Sequence, residues 1–254
     1  MARTAIIAQA RMGSSRLPGK VLEPLAGNTV IAHVVRRANL VETADIVCVA
    51  TSTRAADDAV ATEAERCGAA VFRGDERDVL QRFIGAAKML DADTVLRITC
   101  DCPLIDPEIC DAVLRLRERE AADYASNVGA ADWPHGLDCE AFTRDILEGA
   151  GRLAEAEDER EHVTLWMRRG GARRRVHLDG PGGDAARQRW VLDYPEDLLF
   201  LAALFGELPP TPVAPGWREV YSVIQAKPEL EKINQRRSVD GAVRTVELVQ
   251  PSIS

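Results

Sequence analysis

The sequence predicts an α/β fold, a mixed but mostly parallel sheet with helices on both faces. Two observations predict it. In the first half, short apolar runs rich in β-branched residues alternate with stretches of helical period. Each helical stretch is long enough to cross back and start the next strand in the same direction. The second half is less regular and adds a hairpin-like excursion to that sheet.

The strand patterns of the first half are Thr4–Ala10, Asp45–Thr51, Ala70–Arg73 and Thr94–Thr99, each bounded by turn or polar residues. Between them, apolar residues recur at helical spacing over Val30–Val41, Ala55–Cys67 and Asp78–Leu90. Asp106-Pro107 opens a further helix, to about Glu120, because Asp suits the N-cap and Pro the first helical position. Tyr124–Val128 and Asp138–Phe142 read as strands around the loop Gly129–Leu137, with helices following at Thr143–Leu153 and Glu159–Arg169. Arg173–Leu178 and Arg189–Leu192 read as strands around Gly180-Pro181-Gly182-Gly183, a turn-rich connection. Helices close the pattern at Pro195–Gly206 and Trp217–Gln225. With no repeat and no low-complexity linker, residues 1–240 read as one domain with a less regular inserted region at about 129–188. Residues 241–254 read as a polar tail.

Composition narrows the function. A chain of 254 residues, 46% hydrophobic and 28% charged, is an ordinary globular protein able to bury a substantial core. Its net charge of −8 argues against a general nucleic-acid binder or a membrane-surface protein. No apolar run approaches bilayer length, and Met1-Ala2-Arg3 leads into a strand rather than a leader's apolar stretch, so the expectation is a cytoplasmic protein. The six cysteines, Cys48, Cys67, Cys100, Cys102, Cys110 and Cys139, contain no Cys-x-x-Cys pair and read as free thiols in or near the core.

The strand ending at Ala8-Gln9-Ala10 opens into Arg11-Met12-Gly13-Ser14-Ser15-Arg16-Leu17-Pro18-Gly19-Lys20. Small residues let backbone N–H groups approach oxygen atoms, and Arg11, Arg16 and Lys20 supply charge for a polyphosphate. The spacing matches neither a P-loop nor Gly-x-Gly-x-x-Gly. A loop of solvated cations is the bland alternative, and its place directly after the first apolar strand weighs for the anion. Two acids follow the same logic. Asp101 ends the Val95–Thr99 run, so it belongs on the carboxyl rim of the sheet, where ligands bind and a divalent cation needs one or two carboxylates. It equally suits a cap on the turn into Pro103. Asp193 ends the Arg189–Leu192 run, though Asp193 and Glu196 have the spacing of a capping box. The clusters Arg168-Arg169 and Arg173-Arg174-Arg175 read first as solvated faces, with anion binding the alternative.

Together these residues resemble the cytidylyltransferases, among them the CMP-KDO and acylneuraminate synthetases and especially the spore-coat polysaccharide branch. Ile7–Leu22 carries the likeness. Arg73-Gly74, Asp78–Phe83, Gly136–Phe142, Glu161-His162-Val163-Thr164 and Asp193–Leu198 extend it over most of the chain. The resemblance implies a Rossmann-like nucleotide-diphospho-sugar transferase fold with CTP and Mg²⁺ as ligands. By position it places Ala8, Ala10, Arg11, Gly13, Ser14, Ser15, Arg16, Lys20 and Arg73 around the nucleotide. It implies Asp101 and Asp193 as metal ligands, Arg16, Lys20 and Asp101 at the reacting phosphate, and Asp138 and Glu140 toward the acceptor. Cys100-Asp101-Cys102-Pro103 keeps the acid and proline of the ulosonic-acid members but lacks their neighbouring glutamate, which leaves the acceptor open.

The function expected is transfer of CMP from CTP to a small acidic acceptor, with release of pyrophosphate, in surface polysaccharide biosynthesis. Two rivals stand beside it. One is a nucleotide-sugar-dependent glycosyltransferase, which would normally need an Asp-x-Asp motif where this chain has Asp101-Cys102-Pro103. The other is a non-catalytic nucleotide-binding protein. His135 and His162 are available as bases without being required. The segment Gly129–Leu192, where Trp133 and Trp166 read equally as an exposed patch or as core packing, is the candidate surface for a homodimer.

Overall fold

A computed structural model describes residues 2–209 and 214–237, so the tail expected over 241–254 lies outside the described residues. Alternation in the first strand sets the layers. In β1 (Thr4–Gln9), Ile6 and Ala8 join one hydrophobic cluster, while Ala5 and Ile7 join another on the opposite face. A strand apolar on both sides needs cover on both. One face is covered by α1 (Val30–Ala38), α2 (Asp58–Arg66), α4 (Pro107–Arg119), α8 (Pro195–Glu207) and α9 (Trp217–Ala226). The other is covered by α3 (Val79–Met89) and α5 (Arg144–Leu153).

With β4 (Ile46–Ser52), β5 (Ala70–Gly74), β6 (Thr94–Thr99), β7 (Tyr124–Ser126), β8 (Glu140–Thr143) and β9 (Arg175–His177), β1 forms a seven-stranded sheet in the order β5-β4-β1-β6-β8-β7-β9. The β1·β4, β1·β6, β4·β5 and β7·β9 pairs are parallel, and β8 runs antiparallel to both β6 and β7. Gln9 lies opposite Ala50 and Thr99, so β1, β4 and β6 end level and their following loops share one rim. A small hairpin of β2 (Pro24–Leu25) and β3 (Asn28–Thr29) was not anticipated. Its turn places Ala26 and Gly27 at φ 47° and 80°, the conformation of a two-residue hairpin.

The second half corrects several expectations. Arg173–Leu178 does hold a strand, but β9 pairs with β7 in parallel, so no hairpin joins it to residues 189–192. Arg189–Leu192 is no strand. It makes one parallel bridge, to His135, and Trp190 donates to the His135 carbonyl at 2.7 Å. This crossing is backbone on backbone: a Cβ on Gly136, at φ 113°, would lie 2.7 Å from Trp190 C and Val191 N. The helix expected over Glu159–Arg169 breaks into α6 (Glu157–Glu161) and a π-turn at Met167–Gly171. Between them Val163 adopts φ 55°, with its side chain fully buried and the next hydroxyl, Thr164, turned inward to Glu140. Tertiary burial outweighs helical period there. Trp133 and Trp166 are half-buried rather than exposed. Trp133 donates to the Leu178 carbonyl at 2.9 Å and stacks edge-on with Trp217, and the Trp166 ring packs against Gly171. The remaining helix of this region is α7 (Gly183–Ala186).

Candidate active site

The loop after β1 folds back on itself. Met12 carbonyl oxygen accepts from Ser14 N and Gly19 N, both at 2.9 Å, and the Ser14 hydroxyl accepts from Leu17 N at 3.3 Å. Gly19 takes φ 75°, a left-handed turn suited to glycine, and delivers Lys20 onto the rim at the start of a single 3₁₀ turn. The loop is anchored from the turn after β4: buried Asp57 accepts from Met12 N at 2.7 Å and from the Ser52 hydroxyl.

Lys20 sits between the two acids. Its Nζ donates to Asp101 Oδ2 at 2.5 Å and to Asp193 Oδ1 at 2.9 Å. Burial alone would lower the lysine pKa, but the two carboxylates outweigh it and hold it above its ordinary value. Burial would raise Asp101, yet Lys20 and the Thr99 hydroxyl, 2.5 Å away, bring it down to about 2. Asp193 is likewise lowered against its burial, with Lys20 the main cause and Asp101 opposing. Both acids are therefore anions at neutral pH.

Asp193 is brought to Asp101 by the main chain, since Leu192 N donates to the Asp101 carbonyl at 2.8 Å. Its side chain is no helix cap. Asp197, in the first turn of α8, accepts from Tyr194 N at 3.0 Å and Asp193 N at 2.9 Å, so the pairing of Asp193 with Glu196 as a capping box is corrected. Asp193 instead takes Arg16 Nη2 at 2.6 Å and Arg189 Nη2 at 3.2 Å. Arg189 is buried and forked onto Asp197, with both contacts at 2.9 Å, and Asn234 completes the set at 3.0 Å from Asp197.

Two basins meet over these acids. The first, about 810 Å³, is lined by Ala10, Arg11, Gly13, Ser14, Ser15, Arg16 and Lys20, with Arg82 added from α3. The second, about 350 Å³, is lined by Arg97, Val128, His135, Asp138, Glu140, Thr164, Arg168 and Arg189, among others. Arg16, Thr99, Asp101, His162 and Asp193 line both. The first basin has the donors for a polyphosphate, and the second has a wall of arginines, carboxylates and hydroxyls for a smaller polar molecule.

Most of the predicted residues meet in these basins. Two nucleotide positions do not: Ala8 is wholly buried in the core, and Arg73 is held by Asp58, at 2.7 Å, and by the Ser52 and Arg54 carbonyls. Glu140 lines the second basin, but its oxygens are already engaged. Oε1 accepts from Tyr124 at 2.5 Å and Thr164 at 2.7 Å, and Oε2 from Arg97. Burial would raise its pKa, and Arg97 with Arg168 keeps it below the ordinary value. Asp138 is more open and accepts from Gly136 N at 3.1 Å. His135 Nδ1 lies 3.3 Å from Arg189 Nη1, and because arginine only donates, that nitrogen is the acceptor. The cysteines are free thiols. Burial pushes Cys100 and Cys102 up, away from nucleophilic chemistry.

Sequence reasoning did not assign Arg97, Arg82, Asp57 or Arg168 to the site. Arg97 carried a usable signal, since alternation puts 97, 99 and 101 on one side of an otherwise apolar strand. Arg82 is 2% exposed, and its Nε has no hydrogen-bond partner among the described residues. Burial and then Arg11 lower its pKa.

Two acids converging on one cation position, both oxygen donors, suit a hard divalent ion of the Mg²⁺ kind. No described helix is long and apolar enough to cross a membrane.

Comparison with known proteins identifies the family and the fold. A spore coat polysaccharide biosynthesis protein, SpsF of Bacillus subtilis (strain 168), is 36% identical over 213 residues, spanning 80% of this chain and 88% of that protein. The 3-deoxy-manno-octulosonate cytidylyltransferase of Nitrobacter hamburgensis is 29% identical over 246 residues, 95% of this chain and 83% of that one. Among solved structures, a cytidylyltransferase from Leptospira borgpetersenii superposes with a TM-score of 0.84 at 28% identity, over 91% of this chain and 97% of that one. A CMP:2-keto-3-deoxy-manno-octonic acid synthetase solved with CTP shares the fold, with a TM-score of 0.61 at 24% identity over 81% and 99% of the two chains. Residues 5–202 match the sequence profile of the cytidylyltransferases, and the chain belongs to that family of nucleotidyltransferases.

Proposed function

We propose that residues 1–240 form one catalytic domain that transfers CMP from CTP to a small acidic sugar or related acceptor, with Mg²⁺, in surface polysaccharide biosynthesis. The observation that carries this reading is the meeting of two basins at Arg16, Asp101 and Asp193. The triphosphate belongs in the first basin, against Arg11, Arg16, Lys20 and Arg82. The acceptor belongs in the second, so its oxygen approaches the α-phosphorus from the side opposite the departing pyrophosphate. One P–O bond forms as the α–β bridging P–O bond breaks, and the acceptor's hydroxyl proton leaves to water.

Asp101 and Asp193 would hold the metal, which when bound neutralises charge developing on the phosphate oxygens. Arg16 reaches the junction from the loop side and adds donors there. The acidic character of the acceptor is supported by Arg168 on the second basin's wall, where Arg97 and Arg189 already serve carboxylates, and by the likeness to a 3-deoxy-manno-octulosonate cytidylyltransferase. Glu140 works behind that wall, keeping Arg97 oriented, while Asp138 is available to sugar hydroxyls. The place in polysaccharide biosynthesis is supported by the likeness to SpsF.

Pyrophosphate release from CTP and Mg²⁺, measured over a panel of acceptors with and without a carboxylate, tests the reading. Release with carboxylate sugars alone supports it. Release that ignores the carboxylate removes the acidic acceptor, and none with any acceptor removes the activity.

A further inference from the structure

Lys20 occupies the position that a metal shared by Asp101 and Asp193 would need. Its ammonium is 2.5 Å from one carboxylate oxygen and 2.9 Å from the other. The other oxygens of the pair are engaged elsewhere, Asp101 Oδ1 by Thr99 and Asp193 Oδ2 by Arg189. Asp193 Oδ1 also takes Arg16 at 2.6 Å, and the pair of oxygens near enough to share one cation is the pair the lysine bridges. Arg16 and Arg189 add two further positive charges at Asp193. A dication approaching this cluster alone meets three cations, and displacing Lys20 would strand a buried ammonium without its counter-ions.

A triphosphate changes that balance. Lys20 and Arg16 also line the first basin, so phosphate oxygens arriving there offer both cations new partners. Lysine suits such an exchange, being a point charge on a flexible stem rather than a fixed fork.

We infer that Lys20 is the exchangeable counter-ion of Asp101 and Asp193 and couples metal binding to nucleotide binding: the carboxylates become available to the metal as the triphosphate draws the ammonium away. This rests on the metal reading of the two acids given above. Such coupling is reciprocal and for linked sites typically amounts to about 5–150-fold in affinity.

The test is Mn²⁺ binding to the nucleotide-free full chain, followed by the paramagnetic resonance signal of free Mn²⁺. Lys20→Met is expected to bind Mn²⁺ about tenfold or more tightly than the unaltered protein, and adding Asp101→Asn to Lys20→Met is expected to abolish the gain. Equal or weaker binding by Lys20→Met overturns the inference, as does a gain that survives Asp101→Asn. Should Lys20→Met fail to fold, the ¹⁵Nζ resonance of Lys20 in the unaltered protein gives the answer. It should stay in place with Mg²⁺ alone and move with CTP, and movement with Mg²⁺ alone overturns the coupling. Failure of the metal reading itself appears separately, as pyrophosphate release by the unaltered protein that does not depend on a divalent ion.

Discussion

Asp197 Oδ2 accepts the backbone N–H of Asp193 at 2.9 Å, and that bond decides what the Asp193 side chain does. With the start of α8 capped by one acid, the neighbouring acid turns its carboxylate to Lys20, Arg16 and Arg189. The two carboxylates thus have separable roles, and substitutions tell them apart.

Asp193→Asn is expected to weaken metal-dependent turnover strongly and to destabilise by removing the charge that Lys20 and Arg189 face, rather than by removing a cap. Asp101→Asn is expected to abolish that turnover. Asp197→Asn disrupts the buried pair with Arg189 and carries the larger stability cost, up to about 3–5 kcal/mol if the pair is lost. Urea unfolding beside a pyrophosphate assay measures both. Unchanged metal dependence in Asp193→Asn would remove that acid from the metal site.

Arg16→Ala is expected to lower turnover by about 10²–10³ with little change in melting temperature, because the side chain reaches the junction from an exposed loop. Lys20→Ala should lower turnover similarly and also destabilise, since it leaves two neighbouring carboxylates unpaired. Near-normal pyrophosphate release from both variants would contradict their assigned place.

Arg97 and Glu140 face each other directly across the β6–β8 ladder, which gives a second stability test. Glu140→Gln should destabilise and raise the acceptor KM while leaving the CTP KM unchanged. The double variant Arg97→Met with Glu140→Gln should be more stable than Glu140→Gln alone, because removing both partners leaves no stranded charge. A CTP KM that rises with the acceptor KM would place Glu140 outside this role.

Legibility in the sequence followed chain locality. The Arg11–Lys20 loop and Asp101 each follow an apolar strand, so one segment sufficed to place each on the rim. The run before Asp193 is no strand and reaches Asp101 through the Leu192 N–H bond to its carbonyl. Arg97 needed a partner 43 residues away, and Arg82 looked like one more position on an amphipathic helix. Arg73 misled for the opposite reason. Its strand ends near the rim, but Asp58 and two carbonyls hold the guanidinium away from the cavity. In the second half, short strands and the Val163 bend depend on long-range burial, which periodicity within a segment does not carry.

Acid should reveal Asp101. Its folded pKa of about 2 lies below the roughly 3.9 of an unfolded aspartate, so it contributes stability that is present above about pH 4 and lost as pH falls toward 2. The urea midpoint should drop across that window, and the drop should shrink in Asp101→Asn. An identical profile in the two proteins would mean the carboxylate is not held as described.

Calorimetric titration with the four ribonucleoside triphosphates tests the base. CTP is expected to bind most tightly, and tighter binding of ATP or GTP would refute the nucleotide.

Gly136, lying against the backbone of Trp190 and Val191 with no space for a Cβ, has a consequence for how this enzyme could be retooled. The loop bearing His135 and Asp138 and the segment bearing Arg189 and Asp193 are laid main chain on main chain, so neither can be repositioned without the other. Lengthening or shortening the loop would pull on Asp193, the acid proposed above to hold the metal whatever the acceptor. A change of acceptor preference is therefore easiest by exchanging side chains around the second basin, at positions such as 128, 165 and 168, with the backbone left as it is. The same crossing makes residue 136 a poor place to diversify in any library aimed at new acceptors.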